Sequence, residues 1–104
     1  MTIATHDSQI LPKFIKVNKV NIYSYASYYR SETIVTDVIP MYIDIESIFC
    51  INPNKCTAVK RNSKEIIEYY SIRLKYNLIS GMSPNNELYV DSKSFEMITR
   101  YLIN

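Results

Sequence analysis

Residues 14–25 are dominated by β-branched and aromatic side chains: Ile15, Val17, Val20, Ile22, Tyr23 and Tyr25. Such side chains fit a pleated surface, so this stretch predicts a strand, with a bulge or turn near Asn18-Lys19 where the alternation breaks. Residues 27–32 are polar and predict a turn. Residues 33–39 alternate again, with Ile34, Thr36 and Val38 on one face, and the simplest pairing of the two runs is a hairpin. Pro40 ends the second strand or places it at an edge, and residues 41–43 suit an extension of the sheet.

The period then changes. Asp44 has the chemistry of a helix N-cap, and Ile45, Ile48 and Phe49 give the i, i+3, i+4 stripe of a short helix. Asn52-Pro53 restarts the chain, with Pro at a first helical position where no N–H is needed. This predicts a second helix over residues 53–62 and a further helical turn at residues 63–67. Tyr70, Ile72, Leu74, Tyr76 and Leu78 alternate with polar neighbours and give the clearest strand pattern. Residues 81–86 read as a loop around Pro84, and residues 87–91 as a short strand that pairs with the preceding one. Asp91 or Ser92 caps a final helix with Phe95, Ile98 and Leu102 on one face. The expected fold is α+β: an antiparallel sheet with two short central helices and a C-terminal helix on one face. Residues 1–12 read as a flexible N-terminal arm and residues 13–104 as a single α+β domain.

Charge sharpens this outline. The net charge of +2 over 104 residues creates no global field toward polyanions. Residues 52–64, however, hold Lys55, Lys60, Arg61 and Lys64 with no acid, whereas residues 32–51 hold Glu32, Asp37, Asp44 and Glu46 with no base. On a helix turning about 100° per residue, Lys60, Arg61 and Lys64 share a face with Thr57, opposite Cys56, Ala58 and Val59. Cations beside a helix N-terminus neutralise phosphates; a plain solvated face gives the same pattern. A second cluster, Tyr23, Tyr25, Tyr28 and Tyr29 beside Arg30, suits base stacking or the anchoring of a protein interface. The same pattern also arises if half of these rings point into the core.

Catalytic chemistry has little to build on. The chain has no nucleophile elbow, glycine-rich phosphate loop or HExxH helix. His6 is its one histidine and falls in the arm. Asp44 and Glu46 project differently on a helix, while a carboxylate pair made by folding, such as Asp37 with Asp44, stays open. Cys50 and Cys56 form no CxxC pair and read as reduced, largely buried thiols. A structural zinc site needs about four ligands, and the sequence does not supply them. No cofactor or metal is expected, and the chain reads as a binding module and not an enzyme. No apolar run approaches the roughly 18–20 residues that cross a bilayer, and residues 1–9 lack a signal-peptide pattern, so an intracellular protein without membrane contact is expected. Sixteen Ile, ten Tyr, nine Asn and eight Lys against one Gly and three Ala point to an AT-rich genome, as in large DNA viruses, phages and some bacteria.

Residues 41–61, with Asp44 opening a predicted helix, Asn52-Pro53-Asn54 at a turn and Lys60-Arg61 at the end, resemble the BRO amino-terminal domain of baculovirus BRO proteins and phage antirepressors. Residues 87–98 resemble that family's closing strand and helix. The resemblance implies DNA binding and a role in transcription or replication. It makes Lys55, Lys60, Arg61 and Lys64 the candidates for phosphate contacts, with Asn52 and Asn54 at the turn. The leading expectation is thus a small viral or phage DNA-binding regulator that uses a basic helix. The rival is a protein-interaction module that antagonises a host or bacterial defence factor through Tyr23, Tyr25, Tyr28, Tyr29 and Arg30. A homodimer is compatible with both.

Overall fold

The structure is a computed structural model that describes residues 14–75 and 86–103. Within them the strands are β1 (Phe14–Ala26), β2 (Ser31–Asp44), β3 (Ile48–Ile51), β4 (Cys56–Lys60), β5 (Ile66–Leu74) and β6 (Glu87–Asp91). A 3-10 turn, Ile45–Ser47, separates β2 from β3, and one α-helix, α1 (Ser92–Ile103), follows β6. The expected β1–β2 hairpin, the β5–β6 pair and the C-terminal helix are all present. The arm at residues 1–12 and the loop around Pro84 lie outside the described residues, as do Tyr76 and Leu78.

The sheet is mixed and curls back on itself. β1 pairs with β2, β2 with β4, β4 with β5, β5 with β6, and β6 with β1 at Lys19–Val90. Five strands cannot alternate direction all the way round a ring, so one neighbouring pair must run parallel, and that pair is β2–β4. β3 lies in line with β4: both are antiparallel to the same edge of β5, separated by residues 52–55.

The curl gives the sheet two apolar faces. Because side chains alternate along a strand, Ile67 and Tyr69 of β5 point one way and Ile72 and Leu74 the other. The first pair joins Val20, Val35 and Ala58 in one cluster. The second joins Ile15, Val17, Ile43, Leu88, Val90 and Ile98 in another, under α1. Burying each such aliphatic side chain contributes about 1.5–3 kcal/mol. Helix α1 is seated by Phe95, whose ring stacks on Tyr70 at 4.0 Å and 8°. Its N-terminus is capped by Asp91 Oδ1, which accepts from Ser94 N at 2.9 Å.

The two central helices are not there. Asp44 does cap, accepting from Glu46 N at 2.9 Å, but the helix ends after one 3-10 turn. Ser47 Oγ donates back to the Asp44 carbonyl at 2.6 Å, and Ile48 enters β3 buried while Phe49 stays exposed. Residues 53–62 hold strand β4, not a helix. Cys56 and Ala58 point inward, whereas Thr57 and Val59 point outward. Over so few residues Cys56, Ala58 and Val59 fit either period, and the ladders to β5 and β2 decide it. Residues 63–67 are a hairpin turn entering β5, in which Ser63 Oγ accepts from Glu65 N at 2.9 Å.

Pro40 does not end β2, which runs on to Asp44, but it does lie on a stretch of β2 with an open edge. It pairs with Asn18, whose N–H points away from β2 and donates to Ser94 Oγ at 2.7 Å. The nitrogen of Pro40 must then also point away from β1, toward an edge that β4 leaves after Val35, so its missing N–H costs no ladder bond. The register shift expected near Asn18 falls at Asn21/Ile22, where Thr36 is the extra residue of β2. The thiols of Cys50 and Cys56 are free, but Cys50 is exposed, contrary to the expectation of burial.

A candidate interaction surface at the open end of the sheet

The distal half of the β1–β2 hairpin projects as a two-stranded ribbon. β4 reaches β2 at Ile34 and Val35, and β6 reaches β1 at Lys19, which leaves residues 23–33 with no third strand among the described residues. Ser27 closes its tip. Its N–H donates to the Arg30 carbonyl at 2.7 Å, and its hydroxyl accepts from the N–H of Tyr29 and of Arg30 at 3.3 and 3.2 Å. Tyr28 and Tyr29 are thereby held out at 99% and 94% exposure, touching each other at 5.9 Å between rings. Arg30 leans on Glu32 at 3.6 Å.

The two faces of the ribbon differ. Ser24 pairs with Thr33, their hydroxyls 3.2 Å apart, and Ala26 with Ser31, which makes one face small and polar. On the other face Tyr23 pairs with Ile34 and Tyr25 with Glu32, and these four residues line a shallow groove.

That second face continues across the sheet. Tyr23 neighbours Ile34, Ile34 neighbours Val59 across the parallel pairing, and Val59 neighbours Ile66. Direct Cα partners point to the same side of a sheet, so one apolar row crosses β1, β2, β4 and β5. Tyr23, Val59 and Ile66 are 54%, 42% and 64% exposed. By strand alternation this is the same side that α1 covers at the other end of β5, through Tyr70, Ile72 and Leu74. The helix roofs half of the face and leaves this half open.

Polar groups border the row on both sides. Two residues before Ile34 and Val59 stand Glu32 and Thr57, and Thr57 pairs with Glu68. Past Val59 comes the β4–β5 turn with Arg61 and Lys64, while Lys60, the last residue of β4, pairs with Val35 and so points to the other face; these three side chains have no ion pair among the described residues. Backbone bonds fix this turn: Arg61 N to Val35 O at 2.8 Å, Lys60 N to Glu65 O at 2.9 Å and Ser63 N to Lys60 O at 3.2 Å. Asn62 takes φ 60°, a left-handed conformation that Asn tolerates.

The four expected phosphate-contacting cations therefore do not share a helix face. Arg61 and Lys64 meet at one turn, and Lys60 precedes it on the other face. Lys55 lies at the far end of β4, 3.1 Å from Glu68, whose carboxyl is held below its usual range first by the hydrogen bond from Lys55, then by its charge and by the Ser92 hydroxyl. Asn52 and Asn54 bond to each other, Asn54 N to Asn52 Oδ1 at 2.9 Å, in the β3–β4 connection. The tyrosine cluster does come together on the ribbon. Ile34, Val59 and Ile66 were not singled out by the sequence, although β-branched pairs on either side of Arg61-Asn62-Ser63 are a hairpin signal.

Glu87 accepts from Ser71 Oγ at 2.5 Å and from Tyr89 OH at 2.9 Å, a latch between β5 and β6. Burial, with the bond to Glu87 and its charge, pushes the Tyr89 phenol up to about 12. A cleft of about 620 Å³ between β1 and α1 is lined by Lys16, Asn18, Lys93, Ser94, Glu96, Met97 and Arg100. Arg100 is held by Glu96 at 2.7 Å there. No described helix is long and apolar enough to cross a membrane. Comparison of the chain with protein-family models, curated proteins and solved structures gives no match.

Proposed function

We propose that this chain is a protein-interaction module and not a catalyst, and that it engages its partner through the open end of the sheet. The apolar row Tyr23, Ile34, Val59 and Ile66 carries this reading. Contiguous exposed hydrophobic surface with a polar rim marks association sites, and Tyr and Arg, which the hairpin tip presents, are residue types that concentrate binding energy. Capture with the tagged full chain tests it. A stoichiometric protein should be recovered after nuclease treatment and lost with Ile66→Asp; recovery unaffected by that substitution removes this face from the account.

Nucleic acid is a second reading, and the cations of the β4–β5 turn, which have no ion pair among the described residues, favour it together with the exposed tyrosines. Stacking on aromatic rings with flanking cations is how single strands are held. Against it, Ile34, Val59 and Ile66 offer no stacking surface, and Glu32 and Glu68 border the same patch. Anisotropy of a labelled single strand and a labelled duplex at low and moderate salt decides: steeply salt-dependent binding, lost when Lys60, Arg61 and Lys64 become Ala, favours this reading.

A further inference from the structure

We infer that two copies of this chain pair strand to strand through the free edge of β1 in the ribbon, Ser24 and Ala26 of one copy against Ala26 and Ser24 of the other. The backbone decides which groups face out. Ser27 N donates to the Arg30 carbonyl at 2.7 Å, so these two residues form a hydrogen-bonded pair. Bonded and non-bonded pairs alternate along an antiparallel ladder. Tyr25–Glu32 and Tyr23–Ile34 are therefore bonded, whereas Ala26–Ser31, Ser24–Thr33 and Ile22–Val35 are not. The Val35 carbonyl fits this, since it turns away from β1 and accepts from Arg61 N at 2.8 Å. On β1, the N–H and C=O of Ile22, Ser24 and Ala26 accordingly point away from β2. Past Lys19 no strand among the described residues takes them up.

An open edge of this kind is a template for another strand, and folded proteins blunt such edges with charge or proline. The free edge of β2 beyond Val35 is blunted in this way by Asp37 and Pro40. Ile22-Tyr23-Ser24-Tyr25-Ala26 holds neither a charge nor a proline, and its side chains from Tyr23 on are exposed. A second copy is the strand that fits. An antiparallel edge is its own complement about a two-fold axis, because Ser24 and Ala26 each present a donor and an acceptor and exchange them. The residue on the axis faces itself, which a charged side chain resists and an aromatic one favours. With the axis at Tyr25, that ring stands against its own copy in the closer-spaced class of pair, with Tyr23 on the diagonal. The same axis keeps the turn of the copy clear of β6, which holds the edge at Lys19. Glu32 lies one strand further out, 3.6 Å from its own Arg30, so no unpaired acid meets its copy. The apolar rows of the two copies then join through the tyrosines into one longer surface.

Sedimentation equilibrium of the full chain, from low micromolar to submillimolar concentration, tests this, and a monomer–dimer equilibrium is expected. Ser24→Pro removes one outward N–H and no ladder bond. Tyr25→Lys sets like charges against each other on the axis. Each should raise the dissociation constant by about tenfold or more, with circular dichroism unchanged. Ile66→Asp, on the row and away from the edge, should leave the dimer as it is. A monomer throughout overturns the inference, as does a dimer indifferent to both Ser24→Pro and Tyr25→Lys. A dimer lost with Ile66→Asp and kept with Ser24→Pro overturns it too, and seats the copy on the row instead. A monomeric chain that still captures another protein through Ile66 overturns the edge pairing alone and leaves the protein-interaction reading in place.

Discussion

Ile34 and Val59 lie side by side where β2 and β4 run parallel. That one neighbour relationship joins two separate hairpins into a continuous exposed surface. Without it, Tyr23–Ile34 and Val59–Ile66 are two isolated apolar pairs. With it, they form a row across four strands.

Stability and surface should separate cleanly under substitution. Leu88 is buried at 1% exposure between the sheet and α1, and Leu88→Ala should cost about 2–5 kcal/mol in urea unfolding. Ile66→Ala, at an exposed position, should stay within about 0.5 kcal/mol. An Ile66→Ala loss as large as that of Leu88→Ala means that the row is core.

Asp91 holds the start of α1 to the sheet with both oxygens: Oδ1 caps Ser94, and Oδ2 accepts from Asn18 Nδ2 at 3.0 Å. Asp91→Ala removes a cap and leaves the Asn18 amide short of a partner, for an expected loss of about 1–3 kcal/mol. Asp91→Asn keeps one acceptor oxygen and should recover the cap's share of the loss, but not the bond from Asn18, because its amide nitrogen cannot accept. Equal losses in the two variants, read by thermal unfolding, contradict the capping role.

Tyr89 gives a pH signature. Its phenol holds its proton in the fold to about 12, against an ordinary value of 10.0. Between those values the unfolded chain has released this proton and the folded chain has not. Its contribution to stability is therefore complete below about pH 10 and is lost as pH rises through about 12. Tyrosinate absorbance should show a late-titrating phenol that disappears in Tyr89→Phe. Glu87→Gln should bring that step to lower pH; an unmoved step means that Glu87 does not act on the phenol.

Much of the fold was legible where a pattern ran long enough to fix its period. Val20, Ile22, Tyr23 and Tyr25 marked β1, Ile72 and Leu74 marked β5, and Phe95 with Ile98 marked α1. The centre of the chain was not legible, because Ile45, Ile48 and Phe49 satisfy a helical stripe that long-range pairing overrides. Ile48 pairs with Leu74, and Lys75 N donates to Ser47 O at 2.7 Å. For the same reason the basic residues were read on a helix face: the hairpin signal around Arg61-Asn62-Ser63 is short, and nothing local to Thr57 and Val59 announces that β2 flanks them. The aromatic cluster was legible from Tyr23 to Arg30. Its continuation through Val59 and Ile66 was not, because a parallel pairing leaves no signature in sequence spacing.

Methyl NMR of the isoleucine- and valine-labelled full chain in its bound state locates the binding surface directly. The Ile34, Val59 and Ile66 methyls should shift on binding, while those of Ile72 and Ile98 beneath α1 stay in place. Shifts confined to methyls and amides around Lys16, Lys93 and Arg100, with the row unmoved, contradict that role of the row and place the interface in the cleft between β1 and α1.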